Sequence, residues 1–366
     1  MEAKTKNLNN YAEARALVAL VEHEDMAKEE MVKIEHLFLL ALTSLKRDYT
    51  YFMRNHITTE YTVAEYRKSL TSEQLLDFKR TLRSFRAEVD DFGEQYFRPK
   101  YVNALDSYNN RVQLNRKDVW DITSRHRVEV LGAKQEKQMD DFGRIVFMDS
   151  FLRLFYDYEQ AGLLDMDVSR YRDLIVQRRI NTVFGGSDFR SRIWGNMDNL
   201  MMDLSIILPR GLARDVGDKE INSEIEKRLK RAENYAKTQL SDLTNEVHND
   251  GFKTFAKETD VGKRYRFVAV LDHRTSDICR SMDNKEFLWK DAQAGINLPP
   301  MHNNCRSTAA TIHDDPELDE YLDKRLAEDA DGNPIWIDGD MSYYDWAEAY
   351  GTEEFKESVR KRRNKK

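Results

Sequence analysis

Through most of the first 250 residues, apolar side chains recur every three or four positions, the spacing of one helix face. Ala12 to Glu22 is rich in Ala and Leu, and Met31, Ile34, Leu37, Phe38, Ala41 and Leu45 share a face of a second helix. Ser72 opens a third, with Glu73 and Gln74 in its first turn. Asp106 to Leu131 reads as a long polar helix, and Asp149 to Leu164, with Phe151, Leu152, Leu154, Phe155, Tyr156 and Tyr158, as an apolar core helix. The clearest stripe is Ile221, Ile225, Leu229, Ala232, Ala236, Leu240, Leu243 and Val247. It predicts a helix over Lys219 to Val247 with one buried face and one solvated face. Asn249-Asp250-Gly251 is expected to end it, since Gly tolerates the left-handed conformation at a helix terminus.

After Gly251 the pattern shortens. Arg266 to Leu271 has the β-branched, apolar character of a strand, Asp283-Asn284 reads as a turn, and Glu286 to Trp289 as a second short strand. Pro299-Pro300 interrupts any regular element. Pro316 to Ala327 reads as an acidic helix, Asp331-Gly332-Asn333-Pro334 as a turn, and Ile335 to Ile337 as a short strand. Ser342 to Asp345 has the form of a helix cap. The fold class expected is mainly α: a long helical amino-terminal region, then a small α+β module with short strands and a candidate metal site. Along the sequence the division is 1–180, helical and unassigned; 181–255, a helical feeder; 256–340, the small α+β Cys/His module; and 341–366, a terminal helix with a basic tail.

Composition sharpens this picture. Of 366 residues, 34% are charged, and only 15 are Gly and 6 Pro, which favours long solvated helices over a β-rich fold. A net charge of −7 leaves nucleic-acid binding as a local property of some segment rather than a property of the whole chain. No segment is apolar for the ~18 residues of a membrane span, and Met1 to Tyr11 is too polar for a signal peptide, so synthesis and folding in a cytoplasm, with no membrane anchor, are expected.

Both cysteines fall in one window. Asp272-His273-Arg274-Thr275-Ser276-Asp277-Ile278-Cys279 is followed by Pro299-Pro300-Met301-His302-Asn303-Asn304-Cys305-Arg306-Ser307. Cys279, His302, Cys305 and His273 are the right donors for one tetrahedral zinc ion, which in a small module would supply much of the folding energy. Three readings of the thiols stay open at this point: zinc ligands, a Cys279–Cys305 disulfide that a reducing cytoplasm would oppose, or two inert buried thiols. Cys279 or Cys305 beside His302 also has the form of a nucleophile and base, and Asp272, His273 and His302 that of a metal-dependent nuclease. The chain lacks the G-x-S-x-G, H-E-x-x-H and G-x-x-x-x-G-K-[ST] motifs of the commoner catalytic folds.

This window resembles the minor head proteins of tailed bacteriophages, the Mu F-like head morphogenesis family. The resemblance rests on Leu271-Asp272-His273-Arg274-Thr275 with Cys279, and on Pro299-Pro300-x-His302-x-x-Cys305-Arg306-Ser307. Ser191-Arg192-Ile193-Trp194 with Leu200 to Gly211, Arg231 to Gly251, and Met341 to Trp346 extend it over roughly residues 185–350. Where many members carry a further Cys, three residues before Cys279, this chain has Ser276. The resemblance implies a metal set of Cys279, His302 and Cys305 with His273 or Asp272 as the fourth ligand. It also implies that Asp272, Arg274 and Thr275 stabilise the module's turn, with Arg274 pairing to Asp272, Asp277 or Asp283.

The function implied is that of a structural, non-enzymatic minor capsid protein. It would be made in the host bacterial cytoplasm and reside in the virion, inside the head near the portal. It would associate with the portal protein, and with major capsid or scaffolding protein, in procapsid assembly and aid DNA packaging or ejection. The alternatives are a zinc-dependent nuclease and a non-specific DNA-binding accessory factor. Arg360, Lys361, Arg362, Arg363, Lys365 and Lys366 form the candidate contact to double-stranded DNA; a solvated charge run, or a contact to an acidic portal surface, is the other reading. Two aromatic clusters, Tyr49-Tyr51-Phe52 and Tyr96-Phe97-Tyr101, are either core or interface anchors.

Overall fold

The computed structural model describes residues 2–57, 62–160, 164, 181–272, 274–312, 324–329, 333–338, 341, 343–350, 353, 356–357 and 360. Helices dominate it. α1 (Glu2–His56) merges the first two expected helices into one. α2 (Val63–Tyr66) is a single turn. α3 (Ser72–Phe92) starts at a Thr71–Gln74 capping box, in which each side chain satisfies the other's backbone N–H. α4 (Pro99–Asn110) and α5 (Arg116–Gln160) divide the long polar helix expected over Asp106 to Leu131. The break has a local cause: Asn115 and Asp118 each accept the other's backbone N–H at 2.9 Å, which caps a new helix start. α6 (Phe189–Ala213) and α7 (Asp218–Thr259) complete the long helices.

Every member of the α7 stripe, from Ile221 to Val247, is buried. The helix does not stop at Gly251, however; it runs on to Thr259. Gly251 is needed for a different reason. A Cβ there would stand 2.7 Å from Ser150 Cβ and 2.9 Å from the Phe147 carbonyl oxygen, so the missing side chain lets two helices approach.

The module follows as a three-stranded antiparallel sheet in the order β4-β3-β5, with β3 (Arg264–Val268) in the centre, β4 (Glu286–Leu288) and β5 (Thr308–Ile312). Tyr265 pairs with Phe287 on one side and Thr311 on the other. β1 (Val183–Phe184) and β2 (Ser187–Asp188) form a small hairpin, and β6 (Lys324–Glu328) and β7 (Pro334–Asp338) another. Lys324 to Ala327, expected at the end of an acidic helix, is therefore strand: Leu326 pairs with Trp336 and Ala327 with Ile335, and Ala327 packs with Leu271, Ile337, Trp346 and Ala347. The start of that expected helix, from Pro316, lies outside the described residues. Two short helices finish the set, α8 (Asp277–Met282) and α9 (Tyr343–Tyr350).

The chain packs as two compact units, each discontinuous in sequence. One comprises 1–29, 141–189 and 240–366; the other comprises 30–140 and 190–239. In the second unit Tyr49, Phe52, Phe97 and Tyr101 are core residues, while Tyr51 is half exposed. The Ser191–Trp194 segment is tied down there as well: Trp194 donates its indole N–H to Glu136 at 2.7 Å, and Arg190 pairs with Glu136 and Asp140. In the first unit the amino-terminal part of α1 belongs with the module. Glu13 pairs with Arg266 of β3 at 2.6 Å, and Arg15 with Asp157 of α5 at 3.0 Å.

Candidate metal centre

Three of the residues singled out by the sequence converge. Cys279, His302 and Cys305 bring their ligand atoms within 4.8 Å of one another. Cys279 lies in the first turn of α8, whose N-cap is Ser276, with Ser276 Oγ accepting from Cys279 N at 3.2 Å. His302 and Cys305 come from the loop after the cis Pro299–Pro300 bond, in a tight turn closed by Cys305 N to His302 O at 3.1 Å. α7 holds that turn: Asp242 accepts from Asn304 N at 2.6 Å, and Asn245 Nδ2 donates to Ser307 O at 2.8 Å. Phe267, Ala269, Cys279 and Cys305 make a small core that Met282, Phe287 and Met301 cover.

The donor set fits a soft divalent ion. Cys279 Sγ lies 3.7 Å from Cys305 Sγ and 3.3 Å from His302 Nε2. Zn–S bonds of ~2.3 Å and Zn–N bonds of ~2.0 Å in a tetrahedron separate two thiolates by about 3.8 Å, and thiolate from imidazole by about 3.5 Å. His302 Nδ1 is 2.9 Å from the Asn303 carbonyl oxygen. Donation there leaves Nε2 as the lone pair facing the thiols. Cys279 and Cys305 share a hydrogen bond that lowers the Cys279 thiol to about 6, against burial and with help from Ser276 and Ser307. The same hydrogen bond, together with burial, pushes the Cys305 thiol up.

Of the two residues expected at the fourth corner, only Asp272 is among the described residues. Asp272, fully buried, is not part of this group. Its Oδ1 accepts from Arg274 N at 2.8 Å and from Thr275 Oγ1 at 3.0 Å, and its carboxylate pairs with Arg306 and, at 3.5 Å, with Arg274. Thr275 also donates to the Val270 carbonyl. Asp272, Arg274 and Thr275 therefore build a turn, with Asp272 as the partner of Arg274. Arg306 completes it, a role the sequence did not single out. His273 lies outside the described residues. Ser276 Oγ, 2.8 Å from His302 Nε2, is the polar atom beside the open side of the group. Of the basic tail, Arg360 pairs with Glu348 of α9; Lys361, Arg362, Arg363, Lys365 and Lys366 lie outside the described residues.

Residues 205–310 match the family described as phage Mu protein F like protein. That segment is Mu F-like. It spans the end of α6, all of α7, and the module through Ala310 of β5, so it contains Asp272, Arg274, Thr275, Cys279, His302 and Cys305. The match supports the phage head morphogenesis family that the Cys/His motif resembles, and that family is a structural one. Ser191 to Trp194 and Met341 to Trp346 fall outside the matched residues. Comparison with curated proteins and with solved structures gave no match. Among the described residues, no helix is long and apolar enough to cross a membrane.

Proposed function

We propose that the chain is a structural minor head protein of a tailed phage. In this reading it joins the portal protein during procapsid assembly, with major capsid or scaffolding protein as further partners. It stays in the head near the portal and aids DNA packaging or ejection. The observation that carries the reading is the Mu F-like match over 205–310, which falls on the segment whose Cys279, His302 and Cys305 are gathered into one group with both sulfurs buried. One zinc ion held by these three residues would supply the cross-link between α8 and the 302–305 turn. Ser276 and His273 are the candidates to complete its surroundings.

The geometry favours a structural role over catalysis. Cys279 and Cys305 each expose only 2% of their surface, which bars a substrate from either sulfur. Asp272 has no exposed surface and is committed to Arg306 and to the turn. The basic tail would add a salt-sensitive contact to double-stranded DNA or to an acidic portal face.

Co-expression with the portal protein of the same phage tests the reading. A stoichiometric complex, mapped by truncation to one of the two units, is expected. Failure to form any complex, combined with metal-dependent DNA cleavage that His302→Ala abolishes, would replace this reading with the nuclease.

A further inference from the structure

Away from the Cys/His group, the first unit buries a pair of histidines that the metal centre does not use. His23 on α1 and His248 on α7 have no exposed surface. Their Nδ1 atoms face each other at 3.0 Å. His23 Nε2 lies 2.8 Å from the Asp149 carboxylate on α5, and His248 Nε2 lies 2.8 Å from Thr308 Oγ1 on β5. Ser150 Oγ stands 3.3 Å from His248 Nδ1.

These contacts fix where the protons sit. A carboxylate only accepts, so His23 Nε2 carries hydrogen and donates to Asp149. In the neutral ring, His23 Nδ1 is then an acceptor, and the facing His248 Nδ1 is the donor. His248 Nε2 is left to accept from the Thr308 hydroxyl. Hydrogen bonds thus run in one direction, from the module strand through both rings to Asp149. The Nδ1–Nδ1 contact admits a single proton. If both rings become imidazolium, two N–H groups and two positive charges oppose each other in a fully buried site.

The surroundings cannot absorb a second charge. Asp149 is already paired with Arg153 of α5, which also pairs with Glu22 of α1. On α7, Phe252 packs against His248 with its ring tilted and 4.6 Å away, and Asn249 is bonded to Asn245 and to the backbone of Ala309. β5 presents only the Thr308 hydroxyl. Burial, then His23 and Arg153, hold His248 well below the usual imidazole range, against Asp149. A folded-state value lowered in this way gives stability that is present above the unfolded value of ~6.5 and is lost as pH falls below it. Glu24, the residue after His23 on α1, has the opposite sign. Burial raises it to about 7 despite Arg306 and Arg274, so its contribution grows as pH falls.

We propose that the His23–His248 pair is a proton-operated latch: neutral, it fastens residues 12–29 of α1 to α7 and β5, and protonation of both rings releases that stretch of helix. The rest of its buried face is Ala14, Ala16, Leu17, Ala19, Leu20 and Ala27, together with Glu13, whose ion pair with Arg266 parts when the stretch is released.

Hydrogen exchange on the full chain between pH 7.5 and pH 5, corrected for intrinsic rates, reads the latch directly. Opening of the 12–29 peptides is expected to rise at least tenfold per pH unit below about pH 6, since each linked proton contributes a factor of ten. Peptides over 120–131 should keep their protection. Glu24→Gln should leave the acid transition in place, and His23→Gln with His248→Gln should flatten it. Should the double variant fail to fold, imidazole nitrogen NMR on the wild-type chain gives the same answer. It should find His23 as the Nε2–H tautomer and His248 as the Nδ1–H tautomer at pH 7.5, both charging over the interval in which 12–29 opens. Unchanged protection of 12–29 down to pH 5, charging of both rings without opening, or an acid transition that survives in the folded double variant would each overturn the proposal.

Discussion

Asp272 offers the sharpest separation of structural from chemical roles, because asparagine removes its charge and keeps its shape. In Asp272→Asn the side-chain oxygen can still accept from Arg274 N and Thr275 Oγ1, the two turn bonds at 2.8 and 3.0 Å. The ionic partner of Arg306 disappears. Removing one member of a buried ion pair costs about 3–5 kcal/mol. Arg306 keeps 21% of its side chain in solvent and Arg274 59%, so solvent screening lowers the cost to about 2–3 kcal/mol. Asp272→Ala also forfeits both turn bonds, at about 1 kcal/mol each, for about 4–5 kcal/mol in all. The assay is hydrogen exchange under graded urea, read on peptides spanning 264–312, which reports the opening free energy of the module by itself. If Asp272→Asn matches wild type within about 0.5 kcal/mol, or if alanine is no worse than asparagine, the turn assignment is wrong. An Asp272→Asn chain of full stability that no longer supports a metal-dependent DNA cleavage would show instead that the carboxylate does chemistry.

Elemental analysis of the purified chain should find one zinc, with His302→Ala and Cys305→Ser each reducing it to a small fraction. Ser276→Cys should retain zinc against a chelator longer than wild type, since it places a third thiolate beside the open side of the group; faster loss would remove Ser276 from that corner. Gly251→Ala drives a Cβ to 2.7 Å from Ser150 Cβ and 2.9 Å from Phe147 O, and the overpacking should cost about 1–3 kcal/mol in thermal or urea unfolding. Equal stability would mean that the two helices can part freely there. As pH falls from 7 to 4.5, Glu24→Gln should lose stability relative to wild type, because a carboxyl raised to about 7 takes up its proton more readily folded than unfolded. Parallel pH profiles for the two chains would refute that. Truncation before Arg360 should lower the salt dependence of non-specific DNA binding by ~0.7–0.9 for each phosphate the tail neutralises, and an unchanged slope would assign the tail elsewhere.

Much of the helical frame was legible because burial follows periodicity: the stripe from Ile221 to Val247 and Phe151, Leu154, Phe155 and Tyr158 are buried as expected, whereas Leu152 and Tyr156, grouped with them as core, are exposed. β3 was legible from its apolar, β-branched texture, and the Cys279–His302–Cys305 group from donor chemistry within a short window. The misreadings have local causes. Gly251 carries the signature of a stop, yet its use is close approach to Ser150 on another helix, which no local pattern reveals. Lys324 to Ala327 has a helical composition, and pairing with β7 overrides it. Pairings across long separations were invisible. Asp242 and Asn245 reach the loop of His302 and Cys305 across about 60 residues, and His23 meets His248 across 225. Arg306 could have been found as the cation completing the Asp272 turn only by knowing that the two ends of the module meet.

The proposed function requires this chain to be a component of the phage head. Quantitative mass spectrometry of purified heads tests it most directly, comparing the phage that encodes the chain with a derivative in which its gene is interrupted. The expected result is a small, fixed number of copies per wild-type head, together with loss of normal DNA-filled heads in the derivative. Heads that lack the chain in the wild type, or that assemble and fill normally without it, would contradict the claim.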